Sequence, residues 1–465
     1  MSIVTTQPSD GLSRRGLLTA AGAAAVGLGV LPGQAVADEV TAYDAIVIGG
    51  GFAGATAARE LRARGRRPLI LEARDRIGGR TWTDTFQGKR IERGGTWVHW
   101  SQPHVWAEMM RYGLPIVEDP GPDRVILSTD AGPRSFPPAE AFGRIGELLN
   151  RVFEGSSALF ERPFDPLFRE AEVRAIDGLS LRGRLDQLRL PPQDEGWING
   201  FTASYAGGTN ARGAYTQMAK WWALAGGTNS AWGTATGHYR VEPGTGALVQ
   251  AILADSGAQV RLRTPVTSVV DNGRQVVVTT RSGERFTAPI AVVALPVNVW
   301  KTISFSPALP AAHAAATREG IGVPNGTKIW LHVRGDIGRV YAQPAEGNPI
   351  GSLIPFASLG DGQLFVAFSF HDTFDGTDLR QVRDAVQALE PKADVVSIKA
   401  QNWSKDEFSL GAAAYMQPGQ LTRLHEALQR PSGRVAFATA DIALGWNGYI
   451  DGAIESGVRA ARSLG

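Results

Sequence analysis

One stretch restricts the fold of this chain more than any other, Asp44 to Arg80. It reads D-A-I-V-I-G-G-G-F-A-G-A-T-A-A-R-E-L-R-A-R-G-R-R-P-L-I-L-E-A-R-D-R-I-G-G-R. Asp44 to Ile48 is mostly apolar and partly β-branched, the pattern of a buried strand. Gly49, Gly51 and Gly54 follow with G-x-G-x-x-G spacing. The small residues Ala55, Ala57 and Ala58 open a helical stretch that runs to about Gly65. Pro68 to Leu71 reads as a second strand, and Glu72 stands at its end, 18 residues past Gly54.

Each part of this order has a physical purpose. Gly49 lets the chain turn sharply out of the strand. Gly51 leaves the backbone open to a pyrophosphate, and Gly54 with Ala58 lets the helix lie close on the sheet. The helix N-terminus offers free N–H groups and partial positive charge to the phosphates. The Glu72 carboxylate takes ribose hydroxyls and repels a 2′-phosphate. These features predict a dinucleotide-binding βαβ unit and leave NAD and FAD both open.

The rest of the composition excludes several function classes. The 465 residues are 43% hydrophobic and 20% charged, with net charge +2, an ordinary globular balance for more than one domain. No basic run is interleaved with aromatics, so nucleic acid is not an expected partner. The absence of cysteine removes disulfides, thiolate metal sites and thiol nucleophiles. The seven histidines show no H-E-x-x-H or similar spacing, so no metal is expected. Residues 1–37 read as a twin-arginine export signal. Arg14-Arg15 precedes a mildly apolar run from Gly16 to Leu31, and Ala35-Val36-Ala37 is a cleavage site. The expected location is therefore the periplasm or the exterior.

Beyond Arg80 the motifs resemble those of the flavin-dependent amine oxidases. Glu72-Ala-Arg-Asp-Arg-Ile-Gly-Gly-Arg80-Thr81 is similar to the second half of that family's FAD fingerprint. Gly94-Gly95-Thr96-Trp97 is similar to its second Gly-Gly element, Trp403 to Gly411 to its W-x-x-x-x-[FY]-x-x-G element, and Gly445 to Gly457 to its closing signature. The four blocks span nearly all of the chain beyond the signal. They look most like the exported bacterial branch that degrades nicotine and pseudooxynicotine.

The resemblance implies an α/β fold, with a discontinuous Rossmann-like FAD-binding domain and an inserted α+β substrate domain. Residues 41–115, 236–300 and 396–465 fall to the first, and 116–235 with 301–395 to the second. It implies non-covalent FAD, since Ala412 stands where some members carry a linking cysteine. The implied cofactor-binding residues are Gly49, Gly51, Gly54, Glu72, Ala73, Arg74, Gly79, Arg80, Gly95, Thr96, Trp97, Val266, Trp403, Asp441, Gly448, Tyr449 and Ile450. The implied catalytic residues are Lys328 and Tyr449, and Trp100, Ala413 and Trp446 are assigned to the substrate pocket. By context alone Lys328 reads as an exposed lysine leading an alternating strand. The resemblance instead bridges it through water to flavin N5.

The implied reaction is hydride transfer from a primary or secondary amine to flavin N5, giving an imine that hydrolyses to a carbonyl compound. Dioxygen or a redox protein would take the electrons, and a homodimer stays open. The alternatives are an L-amino-acid oxidase of the same superfamily and a flavoprotein that only carries electrons.

Overall fold

The structure is a computed structural model that describes residues 43–465. The twin-arginine segment 1–37 lies outside them. At the centre stands the strand Ala45–Ile48, in a five-stranded parallel sheet. The order across the sheet is Val435–Phe437, Ile290–Val293, Ala45–Ile48, Pro68–Leu71, Gln259–Arg261. Ala45 lies opposite Ile290 on one side and Pro68 on the other. All four residues of the central strand are buried, which explains a continuous apolar run rather than an alternating one.

The helices Phe52–Ala63 and Ile450–Ser463 cover one face of this sheet. Their Ala53, Ala57, Ala58, Ala460 and Ala461 share a core with Ala45, Val47, Ile70 and Val292. Alanine at these positions lets the two helices approach each other and the strands closely. Both helices present their N-termini towards the C-terminal edge of the sheet, the edge where open α/β folds bind ligands.

Two further sheets flank this unit. Val266–Asp271 pairs antiparallel with Val276–Thr280 and parallel with Ser304–Ser306. The strand Arg285–Ala288 completes this sheet of four. The larger sheet has seven strands, in the order Asp394–Asn402, Thr327–Arg334, Gly362–Ser369, Ser352–Ser358, Val340–Gln343, Arg124–Thr129, Gly132–Phe136. Helices Pro138–Val152, Pro192–Tyr205, Tyr215–Ala225 and Asn229–Gly237 pack into the principal apolar core. Among the described residues no helix is long and apolar enough to cross a membrane.

Two local readings of the sequence are corrected. Residues 116–235 read as helix-rich by pattern, yet they open with strands, two of which extend the seven-stranded sheet. Val125, Ile126 and Leu127 are buried on both faces there, so no alternation betrays them. Likewise Thr327–Arg334 does not alternate: Thr327 to Val333 are all buried, with strands on either side and packed layers above and below.

Candidate active site

A single cavity of about 930 Å³ runs along the C-terminal edge of the parallel sheet and under the seven-stranded one. Gly49, Gly51, Glu72, Ala73, Arg74, Gly79, Arg80, Gly95, Thr96, Trp97, Val266, Trp403, Gly448, Tyr449 and Ile450 all line it. So do Lys328 and Ala413.

At one end the three glycines divide by purpose. Gly49 has φ +106°, and a Cβ there would lie 2.6 Å from the Ala294 carbonyl oxygen. A Cβ on Gly54 would lie 1.9 Å from the Gly49 oxygen. The fold itself requires both. Gly51 differs: its backbone is extended, and a Cβ would meet no protein atom nearer than 3.7 Å. What that Cβ would fill is cavity. Gly51 also caps the N-terminus of Phe52–Ala63 without any side-chain cap, so the first-turn N–H groups are left for an anion in the cavity. The second helix, Ile450–Ser463, likewise starts at the cavity, with Tyr449 as an N-cap that makes no side-chain cap bond.

Glu72 is buried beside these glycines. Its carboxylate accepts from the Gly50 N–H at 2.7 Å and from the Arg74 N–H at 2.8 Å. Two backbone donors thus fix the carboxylate at the cavity wall, while lone pairs remain for hydroxyls. The residues present fit a flavin dinucleotide: a phosphate cradle, a ribose acceptor and a long slot.

Lys328 lies beside the second Gly-Gly element. Its Nζ donates to the Gly94 carbonyl at 2.9 Å and to the Thr96 hydroxyl, and it sits 5.2 Å from the Trp97 ring centre and 5.4 Å from that of Phe368. Burial pushes its pKa down to about 7, against the opposing carboxylates of Glu92 and Asp119. The exposed lysine of the local reading is therefore a buried one. Tyr449 also lines the cavity, and burial holds its phenol well above the ordinary value.

The model of the family described as flavin containing amine oxidoreductase matches residues 52–464. The chain belongs to that family. It is 38% identical to nicotine dehydrogenase of Pseudomonas putida, over 99% of this chain and 98% of that one. It is 36% identical to pseudooxynicotine dehydrogenase of a Pseudomonas species, over 96% and 94%. Among solved structures it resembles a redesigned putrescine oxidase, with TM-score 0.78 and 21% identity over 91% of this chain and 98% of that one. Cyclohexylamine oxidase from Brevibacterium oxydans IH-35A gives TM-score 0.73 at 20% identity, over the same shares. These two likenesses speak of fold alone. The protein is a flavin-dependent oxidoreductase of amines, with an FAD-binding Rossmann-like fold of the amine oxidase type.

Within this flavoenzyme four assigned residues do not line the cavity: Trp100, Trp446, Asp441 and Gly54. Trp100 is 50% exposed and packs against His99, Trp106 and Tyr239 at the surface. It does not line the cavity. Trp446 is wholly buried, donates its indole N–H to the Ser101 carbonyl at 3.0 Å, and supports the Tyr449 ring edge-on at 5.1 Å. Asp441 is also wholly buried. It accepts from Arg80 at 2.5 Å and from the Val297 N–H at 2.8 Å, so it orients Arg80 from outside the cavity lining. Gly54 acts through packing, as above. The sequence reading missed Trp221, Phe368 and Phe370, which do line the cavity. Trp221 lies in a helical, alanine-rich run beside Trp222, where both rings look equally like core.

Proposed function

We propose that the protein binds FAD non-covalently and oxidises a nicotine- or pseudooxynicotine-like amine. The observation that carries this reading is the one cavity that joins the glycine cradle and Glu72 to Lys328, Tyr449 and an apolar, aromatic-rich end. Bound there, a flavin would supply the acceptor for the hydride on the carbon next to nitrogen, and water would hydrolyse the resulting imine or iminium to a carbonyl compound and an amine. The chain supplies orientation and dielectric. An apolar end disfavours the ammonium form and so favours the free amine, the form that can lose hydride. Lys328, held by Gly94 and Thr96, places a proton donor beside the backbone that would pass the flavin ring. The uncapped N-terminus of Ile450–Ser463 favours negative charge developing on a reduced ring.

Substrate class follows from charge. Oxidation of an L-amino acid calls for an arginine aimed at its carboxylate. Three arginines line the cavity, Arg74, Arg80 and Arg281. Each is already paired, with Asp406 at 2.5 Å, Asp441 at 2.5 Å and Glu407 at 3.0 Å. This favours an amine without a carboxylate. By the same reading the FAD-binding domain comprises 41–115, 236–300 and 396–465, and the substrate domain 116–235 and 301–395. The chain is exported by its twin-arginine signal, dioxygen or a redox protein takes the electrons, and a homodimer is compatible with all of this.

Anaerobic titration tests the proposal. The yellow protein should bleach with nicotine- or pseudooxynicotine-like amines and not with L-amino acids, and acid should then release FAD into the supernatant. Bleaching by amino acids alone would establish the amino-acid oxidase. No bleaching by any amine would leave an electron carrier.

A further inference from the structure

The helix Tyr215–Ala225 sends one side chain into the cavity, Trp221. The indole is fixed from behind. Its N–H donates to the Asn447 carbonyl at 3.2 Å. Its ring stands edge-on to Tyr449, with centres 5.2 Å apart and planes at 88°, and edge-on to Tyr415 at 5.3 Å and 89°. Tyr415 does not line this cavity, so it serves as support. The same helix grips the loop that leads into Tyr449. Gln217 and Asn447 exchange two amide hydrogen bonds of 2.8 and 2.7 Å, and the Lys220 ammonium donates to the Leu444 carbonyl at 2.9 Å. Trp221 and Tyr449 therefore hold one fixed mutual geometry. Position 413, also on the cavity wall, offers only a methyl group.

We propose that Trp221 is a specificity-determining residue of the amine site, and this rests on the function proposed above. Two parallel rings would make a slot that suits a slim, linear amine. Rings at 88° make a corner instead, and Ala413, which also lines the cavity, adds no ring of its own. A corner receives an amine whose nitrogen is branched or part of a small ring, and it places aromatic surface against two sides of that group. The same surface attracts the positive charge that hydride loss leaves on the C=N unit. Trp221 thereby selects for N-branched and cyclic amines over linear primary ones.

The test uses the purified holoenzyme and its Trp221→Leu and Trp221→Phe variants. Anaerobic flavin reduction is followed with an N-methylpyrrolidine bearing an aryl group and with a linear primary arylalkylamine. The wild type is expected to prefer the cyclic amine in the ratio of limiting reduction rate to Kd. Trp221→Leu should lower that preference by about tenfold or more, the discrimination one pocket group provides. The loss should appear mainly as raised Kd for the cyclic amine. Trp221→Phe, which keeps most of the packing, should lose a smaller part in the same direction while retaining its FAD spectrum. Equal losses on both amines would assign Trp221 to support of the loop alone, and an unchanged preference would remove it from the site; either overturns the proposal. If these variants keep the wild-type preference while the wild type is bleached by amines, this inference fails and the function stands. If no amine bleaches the wild type, both fall.

Discussion

Lys328 shows how far burial changes what a residue is. A free lysine is cationic at neutral pH; this one, pushed down to about 7, changes protonation in the range where an enzyme works. Its hydrogen bonds to Gly94 and Thr96 set it against the backbone that would border the flavin. Lys328→Met is therefore expected to leave amine binding within about twofold and to slow flavin reoxidation by dioxygen by about tenfold or more, as loss of a placed proton donor does. Stopped-flow traces of the two half-reactions decide it, and wild-type rates in both would return Lys328 to a structural role. Sequence made Gly49, Gly51, Gly54 and Glu72 readable because their roles are local: a turn, a close approach and an acid at a strand end depend on near neighbours. Trp100, Trp446 and Asp441 stand close in sequence to wall residues, yet none of the three lines the cavity. Proximity along the chain does not say which side of a loop faces the cavity.

At the level of elements, the helix Tyr215–Ala225 holds a buried lysine that no motif announced. Lys220 is 1% exposed and is pushed down to about 7 by burial, with Glu455 opposing. Its folded pKa lies below the ordinary 10.5, so the unfolded chain binds more protons between those values. The folded state thus gains stability as pH rises from about 7 to about 10, at about 1.4 kcal/mol for each unit of depression. Lys220→Met removes this dependence and also the bond to Leu444. Relative to wild type, the variant should be most stable near pH 7 and lose its advantage towards pH 10. Melting curves across that range measure it, and parallel curves for both proteins would contradict it. The strands were legible where one face was exposed or a turn marked the end, as at Val266–Asp271. They were obscured at Arg124–Thr129, where burial on both faces erases the period that separates strand from helix.

At the scale of the molecule, a sheet edge, two uncapped helix ends and a second sheet enclose one cavity with two unlike ends. Glu72 is fixed at one end by backbone donors, and Tyr449 stands at the other between Trp446 and Trp221. The central claim is that these ends do separate work, cofactor retention at the first and presentation of the amine at the second. Anaerobic rapid-mixing reduction of Glu72→Ala and Tyr449→Ala, each with its FAD dissociation constant, tests this directly. Glu72→Ala should lose about 1.5–3 kcal/mol of FAD affinity yet, once saturated with FAD, be reduced by amine at close to the wild-type rate. Tyr449→Ala should keep its FAD and be reduced more slowly at saturating amine. Unchanged FAD affinity in Glu72→Ala, or a Tyr449→Ala protein that loses FAD and is reduced normally once it is restored, would contradict the account.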